Sequence, residues 1–139
     1  MDPKALVEIE SIKQLKARYF RLLDTKDWDA WEQVFTDDAR LRWGAEPGQV
    51  MEGRAAIRAG VSASLEGAIT VHHGHMPEIE IDTPQTAHGI WAMFDRVDHP
   101  AYLLVGHGHY HERYRKQDGA WRIADLELRR LHEDRRRKT

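Results

Sequence analysis

The 139-residue sequence predicts an α+β fold, with helices gathered on one face of a strongly curved, mixed but mostly antiparallel sheet. Two observations carry that prediction. Apolar residues recur at helical spacing through the early part of the chain, whereas the later part switches to two-residue alternation. Turn signatures then divide this later part into four long strand-like stretches.

The first element opens with Asp2 as a cap and Pro3 at the first helical position. Ala5, Leu6, Ile9, Ile12, Leu15, Tyr19, Leu22 and Leu23 then predict one long amphipathic helix ending near Asp24. TKD interrupts the pattern, and a shorter helix follows with Trp28, Trp31, Val34 and Phe35 on its apolar side. ARLRW alternates as a strand through Ala39, Leu41 and Trp43, and GAEPGQ supplies a loop. A third helix starts after Gly53 with Ala56, Ile57, Val61 and Leu65. The four β stretches are AITVHHGHMPEIEID, TAHGIWAMFDRVD, AYLLVGHGHYHERYRK and AWRIADLELRRL. They are separated at Thr83-Pro84, His99-Pro100 and the Asp118-Gly119 hairpin signature.

Length and composition limit the function classes. Residues 1–133 form one expected domain, and residues 134–139 are expected to be a flexible basic tail. A formal charge of −2 gives no overall basic field for nucleic acid or an anionic membrane. With no cysteine there is no thiolate nucleophile, disulfide or cysteine-based zinc site. The sequence shows no apolar run of signal-peptide or membrane-spanning length, so a cytoplasmic location is expected.

Histidine is the most conspicuous residue type: six of the nine fall in HHGH and HGHYH. His107, His109 and His111 share one strand face, as do His73 and His75, a spacing that can hold zinc or iron. The even positions of the HGHYH strand, Tyr102, Leu104, Tyr110 and Tyr114, are the more core-like. The expectation is therefore no metal site and no cofactor, with the odd-numbered histidines on a sheet face or in a dimer contact. Gly106 and Gly108 suggest backbone crowding or a bulge near the centre of that strand. If His107, His109 and Trp91 contribute to the outer face of the sheet, a homodimer or higher homo-oligomer is expected.

Asp24 at the helix end and His72 in the first long strand form the candidate chemical pair. A carboxylate beside an imidazole fixes its tautomer and raises its basicity. Strict alternation would set His72 on the face of Glu78 and Glu80, and His73 with Ile79 and Ile81. Gly74 or Pro77 must therefore break the register, with His73 as the fallback.

LLDTKDWDAWEQVFTDDARLRW, VMEGRAAI, TVHHG, TAHG and HYHERYRKQDGAWRI together resemble the SnoaL-like branch of the nuclear transport factor 2-like superfamily, over nearly the whole chain. The resemblance implies a cone of helices wrapped by a bent sheet. It is most similar to scytalone dehydratase and hexachlorocyclohexane dehydrochlorinase, and implies Asp24 as orienting carboxylate and His72 as general base. Leu23 and Trp43 stand where the dehydratase has two tyrosines, Ile90 near its second pocket histidine, and Tyr110 near its pocket asparagine. Tyr110 is the nominated replacement hydrogen-bond donor, with Tyr19 second. His73, Trp43, Ile90 and Met93 complete the expected small-molecule pocket, and Trp91 and Phe94 are also expected to line it. The implied activity is elimination or isomerisation on an alicyclic, steroid-like or polyketide-derived compound. Cyclisation, epoxide hydrolysis and a non-catalytic binding module stand as alternatives.

Overall fold

The computed structural model describes residues 2–44 and 48–139. Half of the expected GAEPGQ loop, residues 45–47, lies outside the described residues. Helix α1 spans Pro3–Asp24, with the Asp2 carboxylate accepting from the Lys4 N–H at 3.0 Å. Its buried stripe is Ile12, Leu15, Lys16, Tyr19, Leu22 and Leu23, whereas Leu6 nearer the start stays exposed. The helix stops in a Schellman turn: Asp27 N–H donates to Leu22 C=O at 3.0 Å and Lys26 N–H to Leu23 C=O at 3.1 Å. Lys26 takes the left-handed conformation usually left to glycine, at φ 60°. This turn sets where Asp24 points.

Helix α2 is only Trp28–Glu32, because Val34 is carried on a turn and Phe35 already begins strand β1, Phe35–Trp43. A short strand β2, Gln49–Glu52, had no sequence expectation and pairs antiparallel with β1. Helix α3, Arg54–Ser64, follows Gly53 as expected. Strands β3 (Ile69–Thr83), β4 (Thr86–His99), β5 (Tyr102–Gln117) and β6 (Ala120–Arg137) make an antiparallel meander. The six strands lie in the order β2-β1-β6-β5-β4-β3, with β1 and β6 parallel, so the fold is α+β with a mixed sheet.

Alternation sorts the sheet into two faces. On β4, Ala87, Gly89, Trp91, Met93, Asp95 and Val97 are buried toward the helices. On β5 the inward set is Leu104, Gly106, Gly108, Tyr110, Glu112 and Tyr114. On β3 it begins with Thr70 and His72. The β3 register then breaks between His75 and Glu78, where Met76 has φ 46°, and beyond it Ile79 and Ile81 pack against the core. That bulge lets His72 and Ile79 share one face although their numbers differ by an odd step. A second irregularity falls between His107 and Gly108 in the β5–β6 ladder, in the stretch where the paired glycines suggested one.

The segment expected to be a flexible tail continues β6 instead. Asp134, Arg135, Arg136 and Arg137 pair with Val105, Leu104, Leu103 and Tyr102, and the Arg135 guanidinium sits 4.0 Å above the Tyr102 ring. Backbone pairing to β5 orders this segment, with a cation–π contact at Arg135, while the arginine side chains stay exposed as composition suggests. Among the described residues no helix is long and apolar enough to cross a membrane.

Candidate active site

The Schellman turn delivers the Asp24 carboxylate to the inner edge of β3, where three donors meet it. Asp24 Oδ1 lies 2.7 Å from His72 Nδ1 and accepts from the Thr70 hydroxyl at 2.9 Å. Its Oδ2 accepts from the His72 backbone N–H at 2.9 Å. Partial burial pushes the Asp24 carboxyl up, but the hydrogen bonds and charge of His72, with the Thr70 hydroxyl, outweigh it and hold the group below the usual carboxylate range. Asp24 is therefore an acceptor, so in the neutral form of the imidazole Nδ1 carries the proton and Nε2 has the lone pair. The His72 side chain is 10% exposed and that of Asp24 22%, so the pair is screened from bulk water without being sealed.

Directly across the β3–β4 ladder from His72 stands Asp95, itself opposite Gly106 of β5. Arg130 of β6 reaches over Gly106 to Asp95 in a bidentate pair, at 2.9 and 2.8 Å. A Cβ at position 106 would collide with both the guanidinium and the carboxylate, so glycine is what permits the pair to lie flat on the strand. Gly74 plays the same part for Phe20, whose Cζ would stand 2.7 Å from an added Cβ. Gly74, Gly106 and Gly108 thus face inward with His72, clearing the inner surface, and His73, His75, His107, His109 and His111 face out.

Tyr19 and Tyr110 complete the inner wall, both buried, with ring centroids 6.2 Å apart. Burial pushes both phenols up and keeps them protonated. Their electrostatic environment includes Asp95 for both, Asp24 for Tyr19 and Arg130 for Tyr110. No hydrogen bond to either hydroxyl is found among the described residues. Leu23 and Met93 are buried beside them, and Trp43 is half-buried against the core at the end of β1.

Four expectations are corrected. Ile90 faces outward, opposite Glu78 and His111, so it does not line the site. His73 is exposed on the same outer face, its ring 5.9 Å from Phe94, which also points outward. Trp91 was read both as lining the pocket and as a possible outer-face neighbour of His107 and His109, and only the second reading is corrected. The residue is buried, donating from Nε1 to the Tyr114 hydroxyl at 2.9 Å. The cause is strand phase: on β4 the odd positions face the helices, and on β3 ahead of the bulge the even ones do.

The sequence reading missed Asp95, Arg130, Lys16 and Glu112. Three of these carried a signal, since each is a charged residue in the apolar phase of its element. Asp95 falls between Met93 and Val97, Glu112 between Tyr110 and Tyr114, and Lys16 beside Leu15 and Tyr19. Arg130 carried none, because the β6 irregularity hides its phase. Among the described residues no three His, Asp or Glu side chains converge on a metal position.

A concavity of about 770 Å³ lined by Ala5, Glu8, Ile81, Pro84 and Lys116 opens near the start of α1. It is roughly 30 Å along the helix from Asp24, at ~1.5 Å per residue, and takes no part in the site. At the Asp24 end, the Phe20 ring occupies the space over Gly74, 5.8 Å from the Tyr110 ring.

The SnoaL-like domain family model matches residues 4–127. A protein of unknown function from Mycobacterium tuberculosis, solved as an aspartate-to-asparagine variant, is 32% identical, with 90% of this chain and 72% of that chain covered and a TM-score of 0.80. A protein described as a scytalone dehydratase from Novosphingobium aromaticivorans superposes with a TM-score of 0.85 at 20% identity, covering 93% of this chain and 87% of that one. A type 2 hexachlorocyclohexane dehydrochlorinase gives 0.78 at 16% identity, covering 96% and 90%. The last two are likenesses of fold. With the family model covering most of its length, the chain belongs to the SnoaL-like domain family, within the nuclear transport factor 2-like superfamily.

Proposed function

We propose that the chain is a cofactor-independent lyase or isomerase that removes a proton from carbon, with His72 as general base and Asp24 as its orienting carboxylate. The observation that carries this reading is the 2.7 Å contact between Asp24 Oδ1 and His72 Nδ1, reinforced by the backbone bond to Oδ2. An imidazole held this way offers Nε2 to a C–H bond next to a carbonyl, and the imidazolium that forms is stabilised by the carboxylate. The electron pair released makes a carbon–carbon double bond. In elimination a neighbouring hydroxide or chloride leaves, and in isomerisation the proton returns elsewhere on the substrate. Arg130 keeps N–H groups beyond those spent on Asp95, and Tyr110 and Tyr19 keep free hydroxyls, which suits these groups to the oxygen that gains charge.

The family and the dehydratase and dehydrochlorinase likenesses support the reaction class. An alicyclic or polyketide-derived substrate is the compound class proposed. A non-catalytic module would be favoured by an Asp24 that faced solvent or stood apart from both histidines, and the 2.7 Å contact with His72 favours the enzymatic reading instead. The homodimer expected from the sequence rests on the outer histidine face, and size-exclusion chromatography decides it.

The test is deuterium uptake from solvent into cyclic ketones, β-hydroxy ketones and chlorinated alicyclic compounds, followed by NMR. Wild type should exchange or eliminate at least one of them, and Asp24→Asn and His72→Ala should both lose that activity. Equal behaviour of all three proteins overturns the reading.

A further inference from the structure

Lys16 is wholly buried, yet it sits on the face of α1 that looks into the sheet. Its ammonium donates to Glu112 Oε2 at 2.6 Å. The same nitrogen lies 3.6 Å from the centroid of the Tyr19 ring and 3.9 Å from that of Tyr110, with Phe20 at 4.8 Å. Glu112 is fixed from behind, its Oε1 accepting from the Tyr114 hydroxyl at 2.6 Å, and the Tyr114 oxygen in turn accepts from Trp91 Nε1. The charge is therefore pinned against two π faces whose hydroxyls are unspent and lie in the electrostatic field of Asp95.

A cation over a phenol ring draws electron density from the ring and makes its O–H a stronger hydrogen-bond donor. In a water-free interior that influence is weakly screened. A lysine buried for packing alone needs only its carboxylate partner, so contact with both tyrosine faces is the additional observation.

We propose that Lys16 is a positioning residue whose ammonium, anchored on Glu112, polarises Tyr19 and Tyr110 into donors for the substrate oxygen beside Asp24 and His72. This rests on the proton-abstraction reading for its chemical purpose, but the polarisation itself is a property of the ligand-free protein. The groups facing the ammonium are Tyr19 and Phe20 from α1 and Tyr110 and Glu112 from β5. Tyr114 of β5 stands behind Glu112, and Asp95 of β4 and Arg130 of β6 lie beyond Tyr110. Burial, partly offset by the charge and hydrogen bond of Glu112, pulls the Lys16 ammonium down to about 8. The tyrosines should thus lose its influence within an accessible pH range.

The experiment is ¹³Cζ-tyrosine NMR of the whole chain, titrated from about pH 6 to about pH 10, with the four signals assigned by single Tyr→Phe changes. The Tyr19 and Tyr110 resonances should move together with an inflection near pH 8, while that of Tyr102 does not share it. Lys16→Arg, which keeps its charge throughout, should abolish the inflection. Because Lys16→Met leaves a buried carboxylate unpaired, the neutral comparison is Lys16→Met with Glu112→Gln. In the deuterium assay that double variant should lose kcat by roughly tenfold or more with little change in KM. Flat wild-type resonances, an inflection that persists in Lys16→Arg, or an unchanged kcat in the double variant would each overturn the proposal. Failure of the Asp24–His72 reading shows instead as activity retained in His72→Ala, and leaves the titration untouched.

Discussion

The two faces of the meander carry the same residue type in opposite circumstances. On the inner face a single histidine, His72, is buried and fixed by Asp24 through its ring and its backbone. On the outer face His73, His75, His107, His109 and His111 look to solvent or to one another. The His73 and His75 rings stand 6.3 Å apart, and His107 leans on Phe94 at 5.4 Å. A carboxylate alone does not separate the faces, since the outward His88 meets Asp82 at 2.8 Å, but that pair is 42% exposed at the imidazole, whereas His72 is 10% exposed. What makes an imidazole a base is the carboxylate that chooses its tautomer.

The comparison is broken most severely if the inner histidine proves replaceable. His72→Ala and Asp24→Asn should each lower turnover by about 10² to 10⁴, while His73→Ala stays within about twofold, as measured by initial rates on any substrate from the exchange assay. Next in size is Arg130→Met, which strands the Asp95 charge in the interior and should cost about 3–5 kcal/mol in urea denaturation. The neighbouring exposed Arg129→Ala should cost less than about 0.5 kcal/mol. Gly106→Ala should follow at about 1–3 kcal/mol, because its new methyl meets the Arg130–Asp95 pair.

The smallest effect sharpens the electrostatic side. Since the Asp24 carboxyl is held below its ordinary value, the folded chain binds that proton less readily than the unfolded chain. Its stabilising contribution is complete above the ordinary aspartate range and disappears as pH falls through the lowered value. Asp24→Asn should remove this part of the acid sensitivity, seen as a flatter urea midpoint between about pH 5 and about pH 2, while His107→Ala leaves the curve unchanged.

Much of this was legible from residue order. The Asp2–Pro3 start and the Asp24 end of α1, the Gly53 start of α3 and the four long strands follow from caps, period and turn chemistry. The need for a register break in β3 followed from the conflict between His72 and Ile79, and the bulge at Met76 resolves it. What was not legible depended on phase across neighbouring strands. Ile90 and Phe94 fall on the outer face because β4 keeps strict alternation whereas the β3 register is broken. The β2 strand is four residues long and owes its form to β1, so it has no period of its own to read. The basic end of the chain looked solvated by composition, and only the length of β5 gives it a partner.

The strand order β2-β1-β6-β5-β4-β3 has one more consequence, for assembly. The sixth strand to be reached along the chain lies between the first and the fifth, so it is the seam that joins two otherwise separate sheets. Until it docks, β1–β2 and β3–β5 have no ladder in common, and Arg130, which β6 itself carries, cannot reach Asp95. Such late, long-range closure is slow compared with hairpin formation. Completing the charge pattern of the inner face therefore needs only the β5–β6 hairpin, whereas joining the two halves of the sheet needs the parallel β1–β6 pairing as well.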